Sequence, residues 1–229
     1  MNCFITGGNR GIGLEFAKQL SEKGHHVLAG FRNPKSTDKL KKIIPNENLL
    51  HLNVIDEQSI IDTVTELKSK VNHLDLLINN AGIIGSRDGL KKVEMDDHLD
   101  TFQTNTLGPL FVTKHCWSLL GKGSTVVNIS SLMGSIDDSS GGSYSYRISK
   151  AALNMVTKNL HQDLNKQRDN RCRFSPGMGQ DKNGYTHRSC IQKTVCIRYA
   201  KSLGRTNRYQ WKVYQFQGRR TPLVIKESI

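Results

Sequence analysis

Cys3-Phe4-Ile5-Thr6-Gly7-Gly8-Asn9-Arg10-Gly11-Ile12-Gly13 is the stretch whose reading decides the fold. A short apolar run enters a glycine-rich turn, and a helical pattern with Phe16 and Leu20 follows until Gly24. Strand, glycine turn and helix, in that order, are the context a dinucleotide fingerprint requires. The glycines permit a tight turn and let the backbone approach a pyrophosphate, which rests on the helix N-terminus. Thr6, Gly7, Asn9, Arg10, Gly11, Ile12 and Gly13 are therefore candidate cofactor contacts. A glycine motif alone also describes an ordinary turn, so the rest of the chain must carry the reading.

Working outward, His26-Val27-Leu28-Ala29-Gly30 reads as a second strand. A site for NAD(H) usually has an Asp or Glu at this strand's end to hold the ribose 2′-hydroxyl. This chain has Gly30-Phe31-Arg32 instead. Arg10 and Arg32 can both reach a 2′-phosphate, which favours NADP(H) over NAD(H). Further strands are expected near 49–53, 74–79 and 124–130, after the first at 2–6. Helices are expected near 11–23, 57–71, 96–119 and 144–165. That alternation predicts an α/β fold with a doubly wound, Rossmann-like parallel sheet, helices on both faces and right-handed crossovers. Ligand sites belong at the carboxyl ends of such strands. Val126, Val127 and Ile129 have the composition of a strand buried on both faces.

Tyr146-Arg147-Ile148-Ser149-Lys150 supplies the chemistry. Residues four apart in a helix share a face. A phenol titrates near pH ~10 and is a poor acid at neutral pH. A neighbouring ammonium favours the phenolate and lowers that value, which makes the pair a usable proton donor to a carbonyl receiving a hydride. Ser131, from another segment, can hydrogen-bond the same developing oxyanion. Tyr and Lys at this spacing are weak evidence alone, because most such pairs are solvated helix faces.

TGGNRGIG, Asn79-Asn80-Ala81-Gly82, Asn105-Thr106-Leu107-Gly108-Pro109, Asn128-Ile129-Ser130-Ser131 and YRISK follow one another in order. Through these five motifs, residues 1 to about 166 resemble the short-chain dehydrogenase/reductases, and within them the small C-factor-like carbonyl reductases. The resemblance implies an NADP(H)-dependent reduction of an aldehyde or ketone to an alcohol. It makes Tyr146 the proton donor, and Lys150 the group that lowers its pKa and holds the nicotinamide ribose. It has Ser131 orient the carbonyl and Asn105 support a proton-relay water. It places Asn80, Ala81 and Gly82 along the cofactor cleft, with Asn53 and Val54 near the adenine. Asn53 stands where the family usually has Asp, and an amide covers part of that role. A homo-oligomer formed through the helices near 96–119 and 144–165 is also implied.

The chain has no signal peptide pattern and no span of ~18 apolar residues, so a soluble cytoplasmic protein with no membrane partner is expected. No metal site is expected either. His187, Cys190 and Cys196 match no zinc spacing, and scattered cysteines in such a chain fit reduced thiols.

After about Lys166 the text changes. Residues 167–229 hold 14 Lys and Arg against 3 Asp and Glu, which is +11 of the chain's net +13. No clean period of 2 or 3.6 is evident there. A basic tail can bind nucleic acid, but the preferred reading is the right gene in the wrong frame, with no nucleic-acid partner. Shifting by one base lets residues 167–184 encode NEIIAVVFHPGWVKTKMG, which resembles the family's sixth strand and Pro-Gly turn. In that string the Trp is forced by Met178-Gly179. Further on, the same shift permits an amphipathic helix, an alternating last strand and a stop. One inserted base near codon 167 suffices. The chain is thus divided into a dinucleotide-binding unit at 1–166 and an aberrant tail at 167–229. As written it is expected to lack its closing strands, leaving Val126, Val127 and Ile129 on an open edge. Each large apolar side chain lost from burial costs ~1.5–3 kcal/mol, against a total stability of ~5–15 kcal/mol, so poor folding is expected.

Overall fold

The computed structural model describes residues 1–137, 139–172, 194–200, 210–215 and 223–224. Strand β1 (Asn2–Thr6) is followed by α1 (Gly11–Glu22), β2 (His26–Phe31), the single turn α2 (Asp38–Lys41), β3 (Leu49–His51), α3 (Glu57–Lys70) and β4 (Leu74–Asn79). Then come α4 (Met95–Phe102), a π-helical turn at Gln103–Leu107, α5 (Gly108–His115), β5 (Leu120–Ser131) and α6 (Tyr144–Cys172). Backbone strands β6 (Thr194–Ala200), β7 (Gln210–Gln215) and β8 (Leu223–Val224) close the order.

One eight-stranded sheet runs β3-β2-β1-β4-β5-β6-β7-β8. The strands from β3 to β6 pair in parallel, as the alternation of strand and helix predicts. The order reverses between β1 and β4, the switch point where such sheets bind ligands. Successive residues of β1 point to opposite faces. Phe4 therefore packs with Leu28, Leu50, Leu67, Leu77 and Val126 in one core. Cys3 and Ile5 pack with Ala17, Leu20, Val27, Ile78 and Val127 in the other. Both faces are covered, which is why these strands read as nearly continuous apolar runs. Burial pushes the thiols of Cys3 and Cys116 up, to about 11 and about 12. Neither is then a reactive thiolate at neutral pH.

Local chemistry sets the helix ends. Asp56 caps α3 by accepting a hydrogen bond from the Gln58 backbone N–H. Gly24, at φ +74°, ends α1 in the left-handed conformation that glycine adopts without strain.

Three expectations change. The single helix expected at 96–119 is interrupted by the π turn around Asn105. Pro109 has no N–H for the carbonyl four residues back, that of Asn105, so the α-helical ladder cannot continue through it. Strand β3 stops at His51 rather than residue 53, because the backbone turns there toward the cleft described below. The edge of β5 is not open. Val126 to Ser131 pair in register with Thr194 to Tyr199. The alternation of Val195, Ile197 and Tyr199 is a period-two signal for that strand, set in a stretch read as patternless.

In the chain as written, residues 167–172 continue α6, where the shifted frame would begin a strand. Pro176, Gly177, His187 and Cys190 lie outside the described residues. Beyond β6 the winding changes, since β7 and β8 are antiparallel. Among the described residues no helix follows Cys172. No helix among them is long and apolar enough to cross a membrane.

Candidate active site

The carboxyl ends of β1, β2, β4 and β5 open on one cleft of about 960 Å³. The glycine turn forms its floor. Gly7 has φ +66°, and a Cβ there would stand 3.0 Å from the Ala81 Cα. Asn80 fixes the turn against β4. Its Nδ2 donates to the Thr6 and Gly7 carbonyls at 3.0 Å each. The Thr6 hydroxyl accepts from the N–H groups of Asn80 and Ala81 at 3.0 Å each. Helix α1 starts at Gly11 with no side-chain cap from Arg10 and no acidic residue in its first turn. That leaves a partial positive charge suited to a phosphate.

Arg10 and Arg32 both line the cleft. Beside them, Asn9 Nδ2 donates to the Ser36 hydroxyl at 2.7 Å. Asn53 also lines it, and its Oδ1 is buried without a hydrogen-bond partner among the described residues. Buried polar atoms are normally satisfied. An uncapped helix start, a side-chain-free turn and an orphaned acceptor together fit a dinucleotide, with its pyrophosphate at Gly11 and Ile12 and its adenine toward Asn53.

Tyr146 and Lys150 project from the first turns of α6 into the other end of the cleft. The Lys150 Nζ lies 5.6 Å from the Tyr146 ring centroid and donates to the Ile129 carbonyl at 2.8 Å. Ser131 ends β5. Its Oγ accepts from the Met133 N–H at 3.2 Å, and its hydroxyl hydrogen-bonds the Tyr146 phenol. Burial pushes that phenol above its ordinary value, and the Ser131 bond pulls it partly back. The expected lowering by Lys150 is thus not the dominant influence, because the ring is largely withdrawn from water.

The meeting of β5 and α6 is tightly built. A Cβ on Gly134 would lie 2.7 Å from the Lys150 backbone. One turn beyond Lys150, Asn154 donates to the Gly134 carbonyl at 3.1 Å and accepts from the Ser130 hydroxyl at 2.7 Å. These contacts fix Ser131 relative to Tyr146.

Asn105 is fully buried, and its side chain is spent on structure. Its Oδ1 accepts from the Ile83 N–H at 2.9 Å, and its Nδ2 donates to the Ile83 carbonyl at 2.8 Å and to Ser149 Oγ at 3.0 Å. Thr6 and Asn105 are buried behind the cleft surface, Gly13 packs beneath the turn, and half-buried Ser131 meets the cleft through its bond to Tyr146. Gly7, Asn9, Arg10, Gly11, Ile12, Arg32, Asn53, Val54, Asn80, Ala81, Gly82, Tyr146 and Lys150 all line it. The sequence reading missed Asn33, Ser36 and Ile83–Gly85, which line it too. Asn33-Pro34 directly after β2 is a turn signal that could have indicated the first pair.

Residues 2–178 match the short chain dehydrogenase family model. An uncharacterised oxidoreductase of Schizosaccharomyces pombe is 36% identical over 168 residues, covering 70% of this chain and 66% of that protein. The chain therefore matches just under two thirds of that relative's length. Among solved structures, the NADPH-bound carbonyl reductase from chicken fatty liver is 32% identical with a TM-score of 0.66, covering 72% of this chain and 74% of that one. The carbonyl reductase Sniffer of Drosophila melanogaster is 33% identical with a TM-score of 0.68, covering 73% and 76%. The chain belongs to the short-chain dehydrogenase family.

Proposed function

We propose that this protein is an NADP(H)-dependent oxidoreductase that reduces an aldehyde or ketone to an alcohol. The observation that carries the reading is the convergence of Tyr146, Ser131 and Lys150 at one end of a cleft whose other end holds two arginines. The NADPH-bound chicken enzyme supports both cofactor and chemistry. The reduced nicotinamide, when bound, supplies a hydride to the carbonyl carbon. Tyr146 gives its phenolic proton to the carbonyl oxygen, and Ser131 donates to the same oxygen as charge develops. Lys150, held by the Ile129 carbonyl, places a positive charge beside the phenolate left behind. Asn105 has no side-chain donor to spare, and its main-chain carbonyl lacks the Pro109 N–H. That carbonyl is the group by which Asn105 would hold a relay water.

The cofactor reading is tested at Arg32. Arg32→Ala is expected to weaken NADPH binding by about tenfold, the value of one exposed charge-assisted phosphate contact, and to leave NADH binding unchanged. Fluorescence titration with both cofactors reads this. Equal loss for the two would remove Arg32 from 2′-phosphate recognition.

For residues 167–229 we infer a shifted reading frame. Support comes from the concentration of +11 charges there and from the strand, Pro-Gly turn, last strand and stop that a single one-base shift permits together. Sequencing the transcript across codons 160–230 decides it. One base fewer near codon 167 is the expected result, and an unchanged text overturns the inference.

A further inference from the structure

Loop 80–89 leaves β4 and passes under the Tyr146 end of the cleft, where Ile83, Ile84 and Gly85 line it. One residue beyond Gly85, the Ser86 N–H donates to Asp97 Oδ1 of α4 at 2.8 Å. The other carboxylate oxygen, Oδ2, accepts from the Ser145 hydroxyl at 2.5 Å. Ser145 is 3% exposed and directly precedes Tyr146. A single carboxylate thus joins the cleft-lining loop to the helical turn that carries the candidate proton donor. Gly85 sits in the middle of this knot at φ +68°. A Cβ there would lie 2.4 Å from Thr101 Oγ1 and 3.0 Å from both Asp97 Oδ1 and Ser145 Oγ. Thr101 is fully buried, and its Oγ1 has no partner among the described residues. Gly85 is therefore closely packed against α4, and the hydrogen bonds that Asp97 accepts from Ser86 and Ser145 tie the loop to α6.

We propose that Asp97 is a positioning residue for the reductase: it sets the depth of the carbonyl end of the cleft by tying Ile83–Gly85 to Ser145, so that a bound carbonyl meets the Tyr146 hydroxyl. The proposal rests on the reductase reading for its kinetic consequence. Asp97 touches neither the glycine turn nor the two arginines, so cofactor affinity is independent of it. Bonds to a carboxylate are about twice as strong as neutral ones, and a displacement of about 1 Å at a reacting centre costs about a hundredfold in rate.

The test uses the full chain with Asp97→Ala, Asp97→Asn and Ser145→Ala. Asp97→Ala is expected to lower kcat/KM for a small aldehyde by about tenfold to a hundredfold, with NADPH affinity unchanged. A bulky aryl ketone loses less, because a freed loop moves outward. Asp97→Asn keeps one acceptor and falls between parent and Asp97→Ala. Amide hydrogen exchange gives a readout that needs no turnover. Exchange across residues 83–88 rises about tenfold or more in Asp97→Ala, and the turn at 6–13 is unaffected. Should Asp97→Ala not fold, Ser145→Ala and Asp97→Asn carry the same comparison. Unchanged exchange at 83–88 overturns the proposal, and so does NADPH affinity that falls in step with turnover. If the parent reduces no carbonyl, the reductase reading fails, and the exchange comparison alone decides the role of Asp97.

Discussion

Tyr146→Phe is expected to lower NADPH-dependent carbonyl reduction by about 10²–10⁴-fold, the range for loss of a positioned general acid. The substitution removes one oxygen from a ring already packed beside Lys150 and Ser131. It alters neither the glycine turn nor the arginines, so NADPH titration should match the parent. A loss of turnover with binding intact assigns Tyr146 to the chemical step. Turnover that survives the substitution would remove it from the mechanism, and parallel loss of binding and turnover would make it a structural residue. The pH dependence has a definite sign. Reduction needs the neutral phenol, and burial raises its pKa. Activity therefore persists on the alkaline side of neutrality and falls only as pH rises through that raised value. The same shift stabilises the fold. That contribution is fully present below the ordinary phenol value of ~10 and is lost as pH climbs through the folded-state value.

The site was legible from the sequence wherever its chemistry is local. Gly7 and Gly13 announce a turn with no room for a Cβ, Gly11 one with positive φ, and the spacing of Tyr146 and Lys150 announces a shared helix face. The strands at 2–6 and 74–79 were legible because a strand covered on both faces is an unbroken apolar run. Pro109 could have revealed the break at Asn105, since a proline inside a helical pattern removes one known hydrogen bond. Asp97 could not have been found. Its partner Ser145 lies 48 positions away, and nothing in Met95–Phe102 distinguishes Asp97 from the acidic residues Asp96 and Asp100 on the same short helix. One strand in the tail was missed for a different reason. Its charge hid the alternation of Val195, Ile197 and Tyr199, which suits a strand laid beside β5.

Gly13→Ala is expected to destabilise the chain by about 2–4 kcal/mol, which opposes the usual effect of this change. Alanine in a helix interior is ordinarily favoured over glycine by about 1 kcal/mol. Here the added Cβ would stand 2.3 Å from the Gly7 carbonyl oxygen and 2.4 Å from Asn80 Nδ2. Neither atom is the free end of a flexible side chain. The Gly7 carbonyl is backbone, and Asn80 Nδ2 is committed to the Thr6 and Gly7 carbonyls at 3.0 Å each. Relief of the clash must break those two bonds, at about 1 kcal/mol apiece, and overpacking adds about 1–3 kcal/mol. The steric cost exceeds the helical gain. For a chain of this length the melting temperature should fall by roughly 4–16 °C. The turn that moves is also the one fitted to the pyrophosphate, so NADPH binding should fall with it. Gly89→Ala is the control. Gly89 has no heavy atom within 4 Å of the new Cβ and no positive φ, so a surface change there should stay within about 0.5 kcal/mol. Equal melting and equal NADPH affinity for Gly13→Ala and Gly89→Ala would mean that α1 and β4 do not meet across Asn80. A loss confined to Gly13→Ala locates that contact as the hinge between the stability of the fold and the binding of its cofactor.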